Sequence, residues 1–345
     1  MNREVPELPV GLAGLRYGIT QVSLAVRDMD RLLDLYYETF GWAPWQVFRH
    51  APPVHHATEL RGLPVDYSMR GAEVYVGSLN FELLDAFQGP NLWSEFMERR
   101  GEGIASIATM FIEREDGDAV KTAFMKRFGI PVNMRAEIGD HIEYYYLETE
   151  EQFGCLIESG SGHAIDFVRP VKVHPHEGAL PGPSPRSGLT YQIRQVSAVV
   201  RDLEAKMAAY VAAFGWGPWN VYESSRTGVL TDCTFRGEPA DFNVRWAQAR
   251  IGSLNFELVE PLGGASPWQE FLDAKGEGLI SVSVPMSTAE ESERVKAQFR
   301  DSGIGILASA RLGRVADWYY LDTEGEYKTL IASGTGLTAD VAPAT

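Results

Sequence analysis

The chain is written twice, and that duplication constrains its fold more than any other feature. Gln21-Val-Ser-Leu-Ala-Val-Arg-Asp28 and Phe40-Gly-Trp-Ala-Pro-Trp45 return as Gln195-Val-Ser-Ala-Val-Val-Arg-Asp202 and Phe214-Gly-Trp-Gly-Pro-Trp219. In the same order, Gly77-Ser-Leu-Asn-Phe-Glu82 matches Gly252-Ser-Leu-Asn-Phe-Glu257, and Gly101-Glu-Gly-Ile104 matches Gly276-Glu-Gly-Leu279. Tyr145-Tyr-Leu-Glu-Thr149 returns as Tyr319-Tyr-Leu-Asp-Thr323. The offset is 174 residues at Gln21/Gln195 and 175 at Glu82/Glu257, so only single-residue insertions separate the copies. A repeat of this length is a whole domain, well beyond the roughly 20–50 residues of a solenoid unit. Positions that agree or differ between the copies can therefore be compared within one chain.

The two copies meet at a break in composition. From Gly160 to Gly188 the sequence carries Pro170, Pro175, Pro181, Pro183 and Pro185, a density that favours an extended linker. The expected division is an N-terminal extension (1–16), a first domain (17–160), a Pro-rich linker (161–189), a second domain (190–336) and a tail (337–345). With 345 residues, 45% of them hydrophobic, the chain can bury two cores. Lys and Arg number 31 against 47 Asp and Glu, leaving a net charge of -16 and no basic stripe. That argues against nucleic acid and anionic membrane surfaces as partners. Cys155 and Cys233 fall in different copies and form neither a disulfide framework nor a ligand pair. No basic-then-apolar leader and no apolar run of about 18 residues is present, so the expectation is a soluble, cytoplasmic protein.

Each copy is itself bipartite. Ile19–Val26 alternates as a strand, Asp28 stands at a helix N-cap, and Met29–Phe40 has helical spacing ended by Gly41. Strand-like runs follow at Trp45–Arg49, Tyr67–Tyr75 and Ser78–Leu84. The order then returns, with a strand at Ile104–Ile112, a helix at Asp118–Phe128, and strands at Pro131–Ala136, Ile142–Leu147 and Gly154–Ser159. This is β-α-β-β-β twice per copy.

Strand parity sorts the side chains, because alternate residues face opposite sides of a sheet. Val22, Leu24 and Val26 suit the helix-covered face, which leaves Gln21, Ser23 and Ala25 on the other. Asn80, Glu82, Ser106 and Glu158 fall on that second face as well. It mixes polar groups with Leu84, Leu156 and aromatics, and Gln195, Asn255, Glu257 and Ser281 repeat its polar residues in copy two. A solvated sheet face would carry Lys and Glu instead, so a cleft is expected.

The residues now in view resemble the vicinal oxygen chelate superfamily: glyoxalase I, methylmalonyl-CoA epimerase, extradiol dioxygenases and bleomycin-resistance proteins. The resemblance rests on the opening strand with Val26-Arg-Asp28, the Phe-Gly-Trp-x-Pro-Trp turn, Phe81-Glu-Leu-Leu84, Gly101-Glu-Gly-Ile104 and Leu156-Ile-Glu158. It covers both copies, and the turn and the Gly-Glu-Gly-Ile element are most similar to the epimerase branch. It implies an α+β fold of two tandem glyoxalase-type domains, each two βαβββ units forming a curled eight-stranded mixed sheet around a cleft. It also implies metal-ligand positions at Gln21, Glu82, Ser106 and Glu158, and at Gln195, Glu257, Ser281 and Ala332. The usual histidines are missing from both sets, and iron-dependent ring cleavage falls with them. No cofactor is expected, although a weakly held divalent ion at Gln21, Glu82 and Glu158 stays open.

The expected activity is metal-independent proton transfer, by an isomerase, epimerase or lyase, next to a carbonyl of a largely apolar, aromatic or polycyclic small molecule. Glu82 and Glu158 would be its catalytic pair, since two carboxyls in one low-dielectric cavity cannot both ionise freely. Gln21, Asn80 and Ser106 would donate to a developing enolate oxygen, and Tyr67, Tyr144 and Tyr146 would line the cavity. Arg70 is either a substrate anchor or a partner of Asp66. His56 is a substrate-binding candidate from the loop cluster His50, His55 and His56, which otherwise reads as surface. Copy two has Glu257 without a second acid, which places the chemistry in copy one. The alternative is a non-catalytic sequestering protein with ionised glutamates in an open groove facing a cation. Pairing of the two domains within the chain is expected, with a homodimer left open.

Overall fold

The computed structural model describes residues 18–109, 114–140, 142–179, 192–224, 230–286, 288–313 and 316–335. His141 and the prolines Pro181, Pro183 and Pro185 lie outside them.

The first domain opens with β1 (Gln21–Ala25), α1 (Met29–Phe40), β2 (Trp45–His50), β3 (His55–Leu60), β4 (Leu63–Pro64), β5 (Ser68–Val76) and β6 (Leu79–Gln88). It continues with α2 (Leu92–Arg100), β7 (Gly103–Ala108), α3 (Arg114–Phe128), β8 (Val132–Ile138), β9 (Ile142–Leu147), α4 (Glu150–Phe153) and β10 (Leu156–Gly160). Two short elements follow, α5 (Ala164–Phe167) and β11 (Lys172–His174). The second domain repeats the plan with β12 (Gln195–Val199), α6 (Leu203–Phe214), β13 (Asn220–Glu223), β14 (Leu230–Phe235), β15 (Glu238–Pro239), β16 (Val244–Ile251) and β17 (Leu254–Pro261). It ends with α7 (Pro267–Lys275), β18 (Gly278–Ser283), α8 (Ala289–Asp301), β19 (Ile306–Leu312), β20 (Ala316–Leu321), α9 (Glu324–Tyr327) and β21 (Leu330–Gly334).

Each domain is one curled mixed sheet, ordered β11-β2-β5-β6-β1-β7-β10-β9-β8-β3-β4 in the first and β13-β16-β17-β12-β18-β21-β20-β19-β14-β15 in the second. The eight expected strands form the middle of each. The hairpin β3–β4 was not anticipated. It leaves the first unit after β2 yet pairs with β8 of the second unit, setting His55 opposite Ile138. The β14–β15 hairpin does the same in domain two, with Leu230 opposite Leu312. Both hairpins thus close one end of a cleft.

Local chemistry fixes the ends of the first helix. The Asp28 carboxylate accepts from the Arg31 amide at 3.1 Å, and Gly41 adopts a left-handed φ of 71° to stop the helix. Asp202 and Gly215 do the same for α6. Strand β1 lies parallel to β6 and antiparallel to β7, setting Ser23 opposite both Glu82 and Ser106.

The helix-covered faces of the two sheets meet in one shared core. Tyr36 on α1 donates from its hydroxyl to the Tyr327 carbonyl at 2.8 Å, and Tyr210 on α6 donates to the Phe153 carbonyl at 3.1 Å. The two bonds are related by the repeat, each reaching from one domain into the other. Phe214 packs on Phe124, Phe153 and Tyr210, so rings from both copies interleave. The Gly-Glu-Gly glutamates act at the same seam. Glu102 accepts from the Arg27 amide at 2.8 Å and pairs with Lys328 at 3.3 Å; Glu277 accepts from the Arg201 amide at 2.8 Å and pairs with Lys206 at 2.8 Å.

The described start of the Pro-rich segment differs from its expectation. Residues 161–174 do not leave domain one as an extended tether. β11 pairs antiparallel with β2, and His163 and His174 are buried. Apolar contact and backbone pairing outweigh the prolines here, and the segment roofs the first cleft. Among the described residues, no helix is long and apolar enough to cross a membrane.

Because the core is shared, Phe214→Ala is expected to cost about 3–5 kcal/mol. Urea unfolding followed by fluorescence and circular dichroism should shift as one transition, rather than release the second domain alone.

Candidate functional site

The first cleft is built from alternate residues of strands on both sides of β1. Gln21, Glu82, Glu158 and Tyr146 line a cavity of about 360 Å³, together with Glu73 from β5 and His50 from β2. Glu73 stands directly opposite Glu82 across β5–β6. Three carboxyl groups therefore share one pocket, and each is at least 93% shielded, with relative exposures of 2% for Glu73, 7% for Glu82 and 6% for Glu158.

Each acid has a different hydrogen-bond environment. Glu82 accepts from Ser23 Oγ at 2.6 Å, and Glu158 accepts from the Tyr146 hydroxyl at 2.7 Å. Glu73 accepts from Asn80 Nδ2 at 2.6 Å and from the Ile165 amide of the roof at 3.1 Å. None of the three has a Lys or Arg ion-pair partner among the described residues. Loss of water raises the pKa of all three, since a charge in a low-dielectric pocket is costly. Desolvation lifts Glu73 to about 7, against its two N–H donors. Desolvation lifts Glu158 to about 8, with the negative charge of Glu73 adding to it. Glu82 is held well above the usual carboxylate range by desolvation and then by the charges of Glu73 and Glu158.

Some of the candidates line the cavity and others stand behind it or away from it. Gln21 lines the cavity with its Oε1 buried and unpartnered; Ser106 Oγ is likewise buried without a partner, behind the lining. Tyr144 and Tyr146 form a wall with Trp93. Others need correction. Asn80 does not have a free amide for substrate, because its Nδ2 is committed to Glu73. Tyr67 stands behind the wall, its hydroxyl 2.6 Å from that of Tyr144. Arg70 lies outside the cavity and pairs with Asp85 at 2.6 Å and Asp30 at 2.8 Å, not with Asp66. Its counterpart Arg245 pairs likewise with Glu260 and Glu204.

The histidine cluster divides differently from its expectation. His56 is exposed and bonds the Gly139 carbonyl at 3.1 Å, outside the cavity. Its neighbours are not surface residues. His50 lines the cavity, and His55 bonds the Tyr144 hydroxyl through Nε2 at 2.8 Å. Burial depresses His50 to about 3 and His55 to about 4, so both are neutral. His163 of the roof also lines the cavity, with Nδ1 unpartnered and its pKa lowered by burial to about 4. The sequence reading missed Glu73, His50, His55 and His163 as cleft residues. Glu73 was detectable, since it shares strand parity with Gly71 and faces Glu82, and copy two places Gln248 there.

The donor set decides what metal the pocket fits. The fold's usual centre uses imidazoles at the positions of Gln21 and Ser106, where this chain has an amide and a hydroxyl. Among the described residues, no three His, Cys, Asp or Glu side chains are arranged to hold an ion. The acids already accept from Ser23, Tyr146 and Asn80, and His55 Nε2 is taken by Tyr144. These residues do not fit a histidine-based transition-metal centre.

The second cleft keeps the frame and changes the chemistry. Gln195, Asn255, Glu257 and Ser281 repeat, and Ser197 donates to Glu257 at 2.8 Å as Ser23 does to Glu82. Register matching places Ser224, Leu230, Gln248 and Ala332 where domain one has His50, His55, Glu73 and Glu158. Asn255 Nδ2 donates to Gln195 Oε1 at 2.6 Å, and Gln248 Nε2 donates to Glu257.

Stability should record the acids. Unfolded, Glu158 titrates near its ordinary 4.5; folded, near 8. The folded state binds more protons between these values, so this contribution is present below the unfolded pKa and lost as pH rises through the folded one. Glu158→Gln is expected to flatten the fall in melting temperature between about pH 5 and pH 8. A variant as pH-sensitive as the native chain would contradict the burial of a titrating acid. His50 and His55 act in the opposite sense, their contribution being lost as pH falls from 6.5 toward 3–4.

Residues 194–320 match the sequence profile of the Glyoxalase/Bleomycin resistance protein/Dioxygenase superfamily. No curated protein matches the chain in sequence. Among solved structures, the chain is similar to a mutant of 4-hydroxymandelate synthase from Streptomyces coelicolor, at 14% identity over 93% of this chain and 94% of that one, with a TM-score of 0.56. It is also similar to BphC, a halotolerant catechol dioxygenase, at 11% identity over 94% of this chain and 88% of that one, with a TM-score of 0.50. At such identities the structural likeness shows the fold. The second domain thus carries the sequence signature of the glyoxalase/bleomycin resistance protein/dioxygenase superfamily, and the chain as a whole shares the fold of these solved structures.

Proposed function

We propose that the first-domain cleft is a metal-independent proton-transfer site, acting as an isomerase, epimerase or lyase next to a carbonyl of a largely apolar, aromatic small molecule. The observation that carries this reading is the trio Glu73, Glu82 and Glu158 in one desolvated pocket without a cationic partner. Such an arrangement keeps acids near neutrality in pKa, the range in which a carboxyl can both take and give a proton.

The hydrogen bonds suggest a division of roles. Glu73, held by Asn80 and the Ile165 amide, ionises first and serves as a fixed charge. That charge helps keep Glu82 protonated, so Glu82 is the general acid. Glu158, whose pKa lies near 8, is the base. Glu158 removes a proton from the carbon beside the substrate carbonyl, and the C–H electron pair moves to form the enol double bond. Glu82 gives its proton to the carbonyl oxygen, with the Gln21 amide steadying the developing charge. Return of a proton to carbon completes isomerisation, and loss of a neighbouring leaving group completes elimination. Trp93, Tyr144 and Tyr146 supply the apolar wall. The rival sequestering role wants ionised glutamates in open water, and burial on this scale opposes it.

Deuterium uptake from D2O into 2-tetralone and related aryl ketones, followed by proton NMR, tests the chemistry without knowledge of the natural product. Exchange by the native chain is expected to fall at least about 100-fold in Glu158→Gln and in Glu82→Gln. Its rate should rise with pH through about 8, as Glu158 loses its proton. Exchange that is unchanged in both variants would overturn the proposal.

A further inference from the structure

The larger cavity lies in the other domain. It measures about 720 Å³ against about 360 Å³, and its walls include Trp246, Trp268, Trp318, Tyr320, Val244 and Leu312. We propose that this second-domain cleft is a separate binding site for an uncharged, planar aromatic molecule, held by ring stacking and not by charge.

The two clefts differ most in their titratable side chains. Four titratable side chains of the first cleft (His50, His55, Glu73 and Glu158) are matched here by Ser224, Leu230, Gln248 and Ala332. Loss of the second acid at Ala332 and the exchange of Ile142 for Ala316 open space on the floor and wall. Aromatic surface replaces what was lost. Gly71, whose missing side chain would meet Glu82 in the first cleft, corresponds to Trp246, and Tyr144 corresponds to Trp318.

The cavity's carboxyl and the amide beside it already have hydrogen-bond partners. Ser197 and Gln248 donate to the two oxygens of Glu257, the cavity's one carboxyl among the described residues. Gln195 accepts from Asn255 at 2.6 Å and donates to Ser197 at 3.2 Å. The Trp268 indole N–H donates to the Tyr320 hydroxyl at 3.2 Å. An anionic ligand would find no counter-charge in the wall, and desolvating it would cost more than these groups return. A planar ring system finds several surfaces. Trp318 lies nearly parallel to Phe242, at 5° and 6.3 Å between centroids, and edge-on to Trp268 at 78° and 5.5 Å. The cavity therefore offers both faces and edges for stacking.

The test uses the full chain and N-phenyl-1-naphthylamine, an uncharged probe whose fluorescence rises when it leaves water. Saturable binding of one probe per chain is expected. Ala316→Trp, which fills the cavity, and Trp318→Ala, which removes a stacking face, should each weaken binding at least tenfold. Ile142→Trp, the same insertion in the first cleft, should leave affinity within twofold. Anionic 1-naphthoate should bind at least tenfold more weakly than the neutral probe. The proposal fails if binding does not saturate, if both second-domain variants bind normally, or if Ile142→Trp is the variant that loses the probe. Should Ala316→Trp not fold, Trp318→Ala decides alone. Because the readout is binding, failure of the exchange reaction in the first cleft leaves this result independent.

Discussion

The fold depends on one constraint: each copy must bury the helix-covered face of its sheet, and it does so against the other copy. The paired bonds from Tyr36 to the Tyr327 carbonyl and from Tyr210 to the Phe153 carbonyl mark this exchange. Each fastens a first helix of one domain to the short helix that precedes the last strand of the other. With those faces joined, the opposite faces of both sheets are left to curl around cavities. Two clefts follow directly from one shared core. The glutamates of the Gly-Glu-Gly turns recur without being site residues: each bonds a backbone amide, of Arg27 or Arg201, and Glu102 also pairs with Lys328 across the joint.

Having the same frame, the clefts differ through a handful of side chains. One set concentrates titratable groups and pulls water away from them; the other trades them for rings and space. Both retain Gln, Asn, Glu and Ser at corresponding strand positions, yet the same glutamate experiences different surroundings. Glu82 shares its pocket with two further acids, whereas Glu257 is surrounded by amide and hydroxyl donors. Environment, more than residue type, sets what a carboxyl in this fold can do.

Much of this was legible in the sequence, and the reasons are specific. The duplication and the period-two alternation carried the domain plan and put Gln21, Glu82 and Glu158 on one face, because strand parity is a geometric certainty once the strands are right. The same parity places Glu73 of β5 on that face, opposite Glu82. The cross-unit hairpin could not be read, since β3 pairs with β8 across about 80 residues of chain, a separation that no local pattern encodes. Without that pairing, His50 and His55 read as a loop although they stand on β2 and β3. The commitment of Asn80 to Glu73 was hidden for the same reason: it depends on a neighbour that had not been placed. Residues 161–174 depart from the linker expectation because composition encodes stiffness and not what a stiff strand lies against. Cavity volume lay furthest from reach, since it emerges from paired exchanges such as Gly71 with Trp246 and Ile142 with Ala316.

The roof of the first cleft has a consequence for the modularity of the chain. The Ile165 amide that bonds Glu73, and the His163 ring beside it, come after Gly160, where the repeat itself ends. The two copies are equal as sequences but unequal as parts. A recombination event that transplanted the first copy by its repeat limits would carry away the acids and leave their cover behind. Gene shuffling can therefore preserve this pocket only by moving the copy and its trailing strap as one piece, with the joint placed beyond β11.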